Sequence, residues 1–522
     1  MKTINRYAFA AAAALLVAAA GCTDTAVEPK STVTEANIFN DAASYRAFIA
    51  KVYAGLAVSG QQGPAGRPDI RGIDEGFSQY LRLYWEAQEL PTDAAVIGWG
   101  DVGLPEMNTQ MWASENSFVV AMYYRIYFQV AIANQFLRET TDAKLSARGV
   151  SDQLRPTIEQ YRAEARFLRA LSYWHGIDLF GNIPLVTDAD ALGATPPSQA
   201  TRAEIYDFIV TELNDIKDEL PQRATNTYGR ATQGAASMLL AKLYLNSAVY
   251  TGTPRYNEAL TAAQEVINAG YTLDTNWRRI FSADNHTSPE IIFAITQDGL
   301  NTQTWGGMTF IVHASVGGSM NASNYGIDGG WWGLRLKQQA YNLFAAGDQR
   351  ANFFHTDGQQ VAVNSISNFN DGVALGKYTN RTSGGAAGSH PTHVDTDFPM
   401  FRLADAYLMY AEAAVRTNTN LAQALTYVNA LRQRAYGDTS GNITAGQLTL
   451  DFILDERGRE LLWEGHRRTD LIRYGKFTGG AYLWAWKGGV AAGQATDTFR
   501  DLYPLPANEL VANPNLTQNP GY

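Results

Sequence analysis

Residues 232–250, TQGAASMLLAKLYLNSAVY, and residues 257–269, NEALTAAQEVINA, decide how this chain is built. Small side chains alternate with large ones along both: Ala236, Leu240, Ala241 and Tyr244 in the first, Ala259, Ala263 and Val266 in the second. Apolar positions recur every three or four residues, the period of a helix with a buried face. Gly252 and Pro254 make a short turn between them. Small residues set against large ones let two helices approach closely, so the pair reads as a tetratricopeptide-type hairpin.

The same pattern appears elsewhere. Residues 404–416 and 421–434 form a second such pair, and the helices around Tyr161 and Ile205 a third. Residues 117–140 make a long helix with an aromatic side (Phe118, Tyr123, Tyr124, Tyr127, Phe128). Residues 154–180 make another, stopped at Gly181. Thr201 with Glu204 three residues on has the spacing of a capping box, and Pro221 closes that helix. Helical spacing also begins at Asn40-Asp41, and residues 75–90 are helical up to Pro91. Residues 450–474 read as one long helix whose pairs, Glu464–Arg468 and Asp470–Arg473, are worth a few tenths of a kcal/mol each. The repeats are imperfect and carry insertions. The expected fold class is mainly α: a helical-hairpin scaffold with a loop-rich half grafted on it.

The grafted part is residues 280–394, where helical periodicity lapses except at about 337–344. Irregular stretches of that length are commonly functional. Within it, residues 301–335, NTQTWGGMTFIVHASVGGSMNASNYGIDGGWWGLR, carry Trp305, Tyr325, Trp331 and Trp332 among three glycine pairs. Residues 308–312 are expected to be a buried strand. Residues 91–112 form a second aromatic loop, with Trp99 between Gly98 and Gly100. An indole on a glycine turn offers a broad apolar face with an N–H at its edge, a match for the C–H face of a sugar ring, though each of these rings serves equally well as core filling.

The net charge of −10 argues against non-specific nucleic-acid binding. The 46% hydrophobic and 18% charged fractions are those of a globular chain. Cys22 is the single cysteine, so no intramolecular disulfide or cysteine metal site forms. Lys2 and Arg6 give a basic start, residues 7–20 are apolar, and Ala19-Ala20-Gly21-Cys22 ends the run. This resembles a bacterial lipoprotein signal in which Cys22 becomes the acylated terminus. The polar stretch that follows reads as a tether.

Two C-terminal motifs give the chain a family likeness. One is Glu456-Arg457-Gly458-Arg459-Glu460-Leu461-Leu462-Trp463-Glu464-Gly465-His466-Arg467, followed by Asp470-Leu471-Ile472-Arg473-Tyr474-Gly475. The other is the ending, with Leu505-Pro506, Glu509-Leu510 and Asn513-Pro514-Asn515-Leu516-Thr517-Gln518-Asn519-Pro520-Gly521-Tyr522. With the lipoprotein-like start, these resemble the SusD/RagB-like glycan-binding lipoproteins over nearly the whole chain after Cys22. The resemblance implies residues 1–21 as signal peptide, 22–39 as tether, and 40–230 and 231–522 as two regions of one compact unit. It implies four tetratricopeptide-like hairpins, an outer-membrane lipid anchor at the cell surface, and a TonB-dependent SusC-like transporter as partner. It implies a binding protein without catalytic residues, cofactor or metal. Segments 76–103 and 302–335 look like the starch-binding subgroup, which would make Trp99, Trp305 and Trp331 an aromatic arc for oligosaccharide. Trp332 and Tyr325 belong to the same loop, and Asp74, Arg82 and Asp101 would form the polar edge. Another glycan or a peptide is the alternative cargo.

Other chemistry is weaker. A glycosidase needs two placed carboxylates, and Glu86, Glu89, Asp93, Asp101 and Glu106 supply candidates without a pairing. His390 and His393 have a proline between them and read as a surface loop. No glycine-rich loop has the spacing and context of a phosphate site.

Overall fold

The computed structural model describes Phe39, residues 41–191, Gly193 and residues 195–522. The expected leader, Cys22 and the tether before Phe39 lie outside the described residues. Contacts divide the chain into two units, Met1–Tyr45 and Arg46–Tyr522. Asp41 of the first accepts the Ser44 N–H at 2.9 Å at the start of helix α1 (Ala42–Ala57), whose residues from Arg46 on belong to the second.

After α1 the second unit has helix α2 (Tyr80–Glu89), strand β1 (Val96–Ile97), and helices α3 (Ser117–Glu139) and α4 (Arg155–Phe180). It continues with α5 (Arg202–Ile216), α6 (Gln233–Leu245) and α7 (Tyr256–Asn268). Strand β2 (Ile291–Ile295), helix α8 (Gly307–Ala314), strand β3 (Leu334–Arg335) and strand β4 (Phe398–Arg402) follow. Helices α9 (Leu403–Thr417), α10 (Leu421–Tyr436), α11 (Leu450–Glu460) and α12 (Arg467–Arg473) complete the set used below.

The helical half is a ribbon in which each element packs on the next: α3 on α4, α4 on α5, α5 on α6, α6 on α7, α7 on α9, α9 on α10 and α11. The expected hairpins α6–α7, α9–α10 and α4–α5 are all present. Helix α6 is buried along its whole length after Gln233, as an all-round apolar helix must be. Its one cation, Lys242, is neutralised by Asp405 of α9. The capping box forms as read: Thr201 Oγ1 accepts the Glu204 N–H at 3.2 Å, and Glu204 accepts the Thr201 N–H at 2.8 Å.

Helix α2 joins the two halves. All ten of its residues are buried, and it touches α3, α8 and α12. Its polar side chains are buried as well, so each needs a partner. Gln88 donates to Asp178 of α4 at 2.9 Å, and Trp85 Nε1 to the Trp463 carbonyl at 3.0 Å. Glu89 accepts the N–H groups of Gly465 at 2.7 Å and His466 at 3.2 Å.

Three sequence expectations change. Residues 450–474 are two helices, with a corner at 461–466 where Trp463 (φ 61°) and Gly465 (φ 75°) are left-handed. The corner trades intrahelical hydrogen bonds for bonds to α2, and Trp463 Nε1 reaches the Ala94 carbonyl at 3.0 Å. The expected Glu464–Arg468 pair does not form across it. Glu464 meets Lys377 at 2.6 Å and Arg402 at 2.5 Å, while Arg468 meets Asp178 at 3.0 Å. Asp470–Arg473 does form, at 2.8 Å. Residues 308–312, expected as a strand, lie in α8. A short continuous apolar run has no period to separate a buried strand from a buried helix. The expected helix at 337–344 shrinks to Gln338–Tyr341.

Candidate functional site

Helix α8 is buried throughout, and its C-terminal carbonyls lack intrahelical partners. The loop that carries the paired tryptophans supplies them. Trp331 N–H donates to the His313 carbonyl (2.8 Å), Trp332 N–H to Val316 (3.0 Å) and Gly333 N–H to Ala314 (2.9 Å). For this the backbone passes so close at Gly330 that a Cβ there would overlap the Val316 carbonyl. Strand β3 then pairs antiparallel with β1, Ile97 opposite Leu334. The ladder extends past the strands: Gly98 N–H donates to the Gly333 carbonyl at 3.0 Å, and Trp99 Nε1 to the Trp331 carbonyl at 3.1 Å. Loops more than 200 residues apart are thus zipped together with Trp99 beside Trp331.

The three indoles Trp99, Trp331 and Trp305 form a continuous strip. Trp99 and Trp331 have centroids 6.4 Å apart at 45°, and Trp331 and Trp305 6.1 Å apart at 50°. Both steps are tilted, so successive rings are not coplanar. Trp305 is 40% exposed and the other two are half-buried.

Each ring is held from behind. Trp331 stacks on His313 (4.5 Å, 23°). His313 Nδ1 lies 2.6 Å from the Gly329 carbonyl and Nε2 2.7 Å from the Thr392 carbonyl, so the imidazole spans two loops. Burial holds its pKa below the ordinary histidine value, with the two carbonyls acting in the opposite direction. Trp305 is fixed by buried Glu75, which accepts its N–H at 3.0 Å and the Thr304 hydroxyl at 2.7 Å. Gly306 lies where a Cβ would overlap Gln79 and the Gly76 carbonyl. His393 packs against Trp305 at 5.1 Å. Pro391 is exposed, as the surface-loop reading expects, but His393 is buried: the His390 ring accepts the Thr392 and His393 N–H groups and turns His393 inward. Among the described residues no group of histidines, cysteines and acids is arranged to hold a metal ion.

Of the expected polar edge, Arg82 comes from α2 and is 2% exposed. Its guanidinium lies 3.9 Å from the Phe310 ring, 4.4 Å from Phe77 and 5.7 Å from Trp99, with Nε on Glu86 at 2.9 Å. Arg82 is therefore packed among rings instead of standing at an open rim, and its Nη2 has no hydrogen-bond partner among the described residues. Glu86 is pushed up to about 6 by burial, against the pull of Arg82 and with a further push from Asp101, which places Asp101 near this pair. Asp74 is exposed and accepts the Gly76 N–H at 3.0 Å, in the turn against which Trp305 packs.

Two expected residues leave the group. Trp332, at φ 57° and 54% exposed, turns away to lie over Gly317 against Phe369 (5.7 Å). Tyr325 lies over Gly376 in a separate turn, its carbonyl accepting the Asn380 N–H at 2.8 Å. Sequence reasoning missed Glu75 and His313, and placed His393 in a surface loop without a role at the strip. His313 is the one polar residue with a ring in the apolar run of α8, and that is its only signal.

Three of the acids considered for hydrolysis are buried and committed to structure. Glu86 holds Arg82 and Glu89 holds the 465–466 backbone. Asp93 accepts from Arg467 at 2.7 Å and Tyr482 at 2.6 Å.

Comparison with known proteins agrees with this architecture. Residues 352–522 match the SusD family, and residues 90–245 match a family described as starch-binding and associating with the outer membrane. The chain is 34% identical to the starch-binding protein SusD of Bacteroides thetaiotaomicron, over 90% of this chain and 91% of the relative. Solved structures share the fold. A SusD superfamily protein from B. thetaiotaomicron superposes with a TM-score of 0.72 at 22% identity, covering 92% of this chain and 99% of that one. A surface glycan-binding protein A from the same organism, solved with laminarihexaose, gives 0.69 at 21% identity, covering 91% and 98%.

Proposed function

The chain belongs to the SusD family, and we propose that it captures starch-type α-glucans on the Trp99–Trp331–Trp305 strip and delivers them to a TonB-dependent, SusC-like outer-membrane transporter. The observation that carries the reading is the tilt between successive rings, 45° and then 50°. A flat glycan ribbon suits coplanar rings, whereas the helical turn of an α-1,4-glucan presents its sugar faces in rotation. Each stacked ring contributes about 1 kcal/mol beyond burial, so affinity is modest and selection is by shape. Asp74 and Asp101 read hydroxyls beside the strip, and buried Arg82 supports Trp99 from beneath, 5.7 Å from its ring. The protein binds without hydrolysing, and acylation at Cys22 holds it to the outer membrane. The relative named as a starch-binding protein supports this cargo.

A structural neighbour solved with laminarihexaose favours a second reading, in which the same strip takes another curved gluco-oligosaccharide. Native gels cast with starch test the first. Retarded migration, released by maltoheptaose and not by laminarihexaose, with no new reducing ends in solution, is expected. Release by laminarihexaose alone selects the second reading, and unretarded migration removes the first.

A further inference from the structure

A second aromatic-floored cleft opens where the turn Trp277–Phe281 meets the turn Gln349–Phe353. It is lined by Asn276, Trp277, Arg278, Asn352, Phe353 and Arg434 among others.

 The volume of this cleft is ≈ 260 Å³, room for a single sugar ring. The floor is the half-buried Trp277, with Arg434 over one part of its ring at 4.7 Å, and the rim of Phe353, which is 7% exposed; their centroids are 6.3 Å apart at 34°.

The polar groups around that floor fall into two sets. Arg434 is neutralised by Glu290 and Glu460. Arg278 is exposed, lies 5.2 Å from the Phe353 centroid, and has no carboxylate partner among the described residues. The side-chain amides of Asn276 and Asn352 are likewise exposed and without a hydrogen-bond partner among the described residues, and Trp277 Nε1 is buried without one. An apolar ring face edged by a free guanidinium and two free amides matches the C–H face and hydroxyls of a pyranose. Phosphate recognition relies on converging cations, and here one arginine is already taken by acids. Tyr325 borders this side of the molecule: burial pushes its phenol up and Arg278 pulls it back.

We propose that this cleft is a second saccharide subsite, taking one pyranose unit on Trp277 and Phe353, with Arg278, Asn276 and Asn352 reading its hydroxyls or a ring carboxylate. None of these residues belongs to the indole strip, so the two sites are separable by mutation. The test uses the full-length protein with the strip disabled by Trp305→Ala and Trp331→Ala, and saturation-transfer NMR with maltoheptaose and with a galacturonate trisaccharide. Residual transfer to at least one sugar is expected. Adding Arg278→Ala and Asn352→Ala, both at exposed positions, is expected to remove it while the melting temperature stays unchanged. No residual transfer to either sugar overturns the proposal, and so does residual transfer that survives the added pair. If the strip-disabled protein binds maltoheptaose as tightly as the parent, the strip reading fails, and the Arg278/Asn352 pair alone decides on this cleft.

Discussion

Trp331 is the residue on which the strip depends, because one face of its indole is already occupied. His313 stacks beneath it and spans the Gly329 and Thr392 carbonyls, so the ring is held before any ligand arrives. Trp331→Ala is expected to weaken maltooligosaccharide binding about tenfold or more, which is about 1.4 kcal/mol, with the fold intact by circular dichroism. His313→Ala is expected to lower affinity several-fold through the loosened indole, and to change the near-ultraviolet circular dichroism of the stacked pair. Undiminished affinity in that variant would show that the stack does not orient Trp331. The tryptophans were legible because indoles among glycine pairs are unusual in sequence. Glu75 and His313 were not, since a carboxylate near Gly76 and a histidine ending an apolar run look ordinary until the chain folds over them. Trp332 could not be told from Trp331 in sequence, and its left-handed φ turns it to Phe369.

Among the elements, the last turns of α11 tie the loop-rich half to the helices. Glu460 meets Arg350 at 3.0 Å and Arg402 at 2.8 Å, and Glu456 meets Arg350 at 2.7 Å and Arg432 at 2.7 Å. All four carboxylate partnerships are buried or nearly so, and removing one partner of a buried pair costs about 3–5 kcal/mol. Glu460→Gln is therefore expected to destabilise by that amount in a denaturant melt, and a loss under about 1 kcal/mol, the scale of an exposed pair, would contradict the assignment. Burial alone would raise both carboxyls, but the surrounding arginines hold each at about 2. Since these values lie below the ordinary glutamate value of 4.5, the stabilisation is fully present above about pH 4.5 and is lost as pH falls toward 2. Thermal melts across pH 5 to 2.5 check this, and Glu460→Gln should flatten the slope. The charge spacing at 450–474 was visible in sequence and read as exposed helical pairs. The partners Arg350, Arg402 and Arg434 are 26 to 110 residues away, which local spacing cannot register.

For the molecule as a whole, the helical ribbon was legible because small-against-large periodicity survives in α6, α7, α9 and α10 without knowledge of partners. The loop-rich half was not, because its order comes from long-range hydrogen bonds such as Trp99 Nε1 to the Trp331 carbonyl. At this scale the proposed anchor has its own test. Cys22→Ser is expected to move the protein from the membrane fraction to the soluble fraction without altering glucan affinity, and continued membrane retention would contradict acylation at Cys22. The central claim is that a strip of three mutually tilted indoles selects a curved α-glucan. Isothermal titration of the purified protein with maltoheptaose, beside the flat cellohexaose, tests it most directly. The account predicts saturable heat with maltoheptaose, at least tenfold weaker in Trp331→Ala, and none with cellohexaose at the same concentration. Equal binding of the two sugars, or maltoheptaose binding untouched by Trp331→Ala, would contradict it.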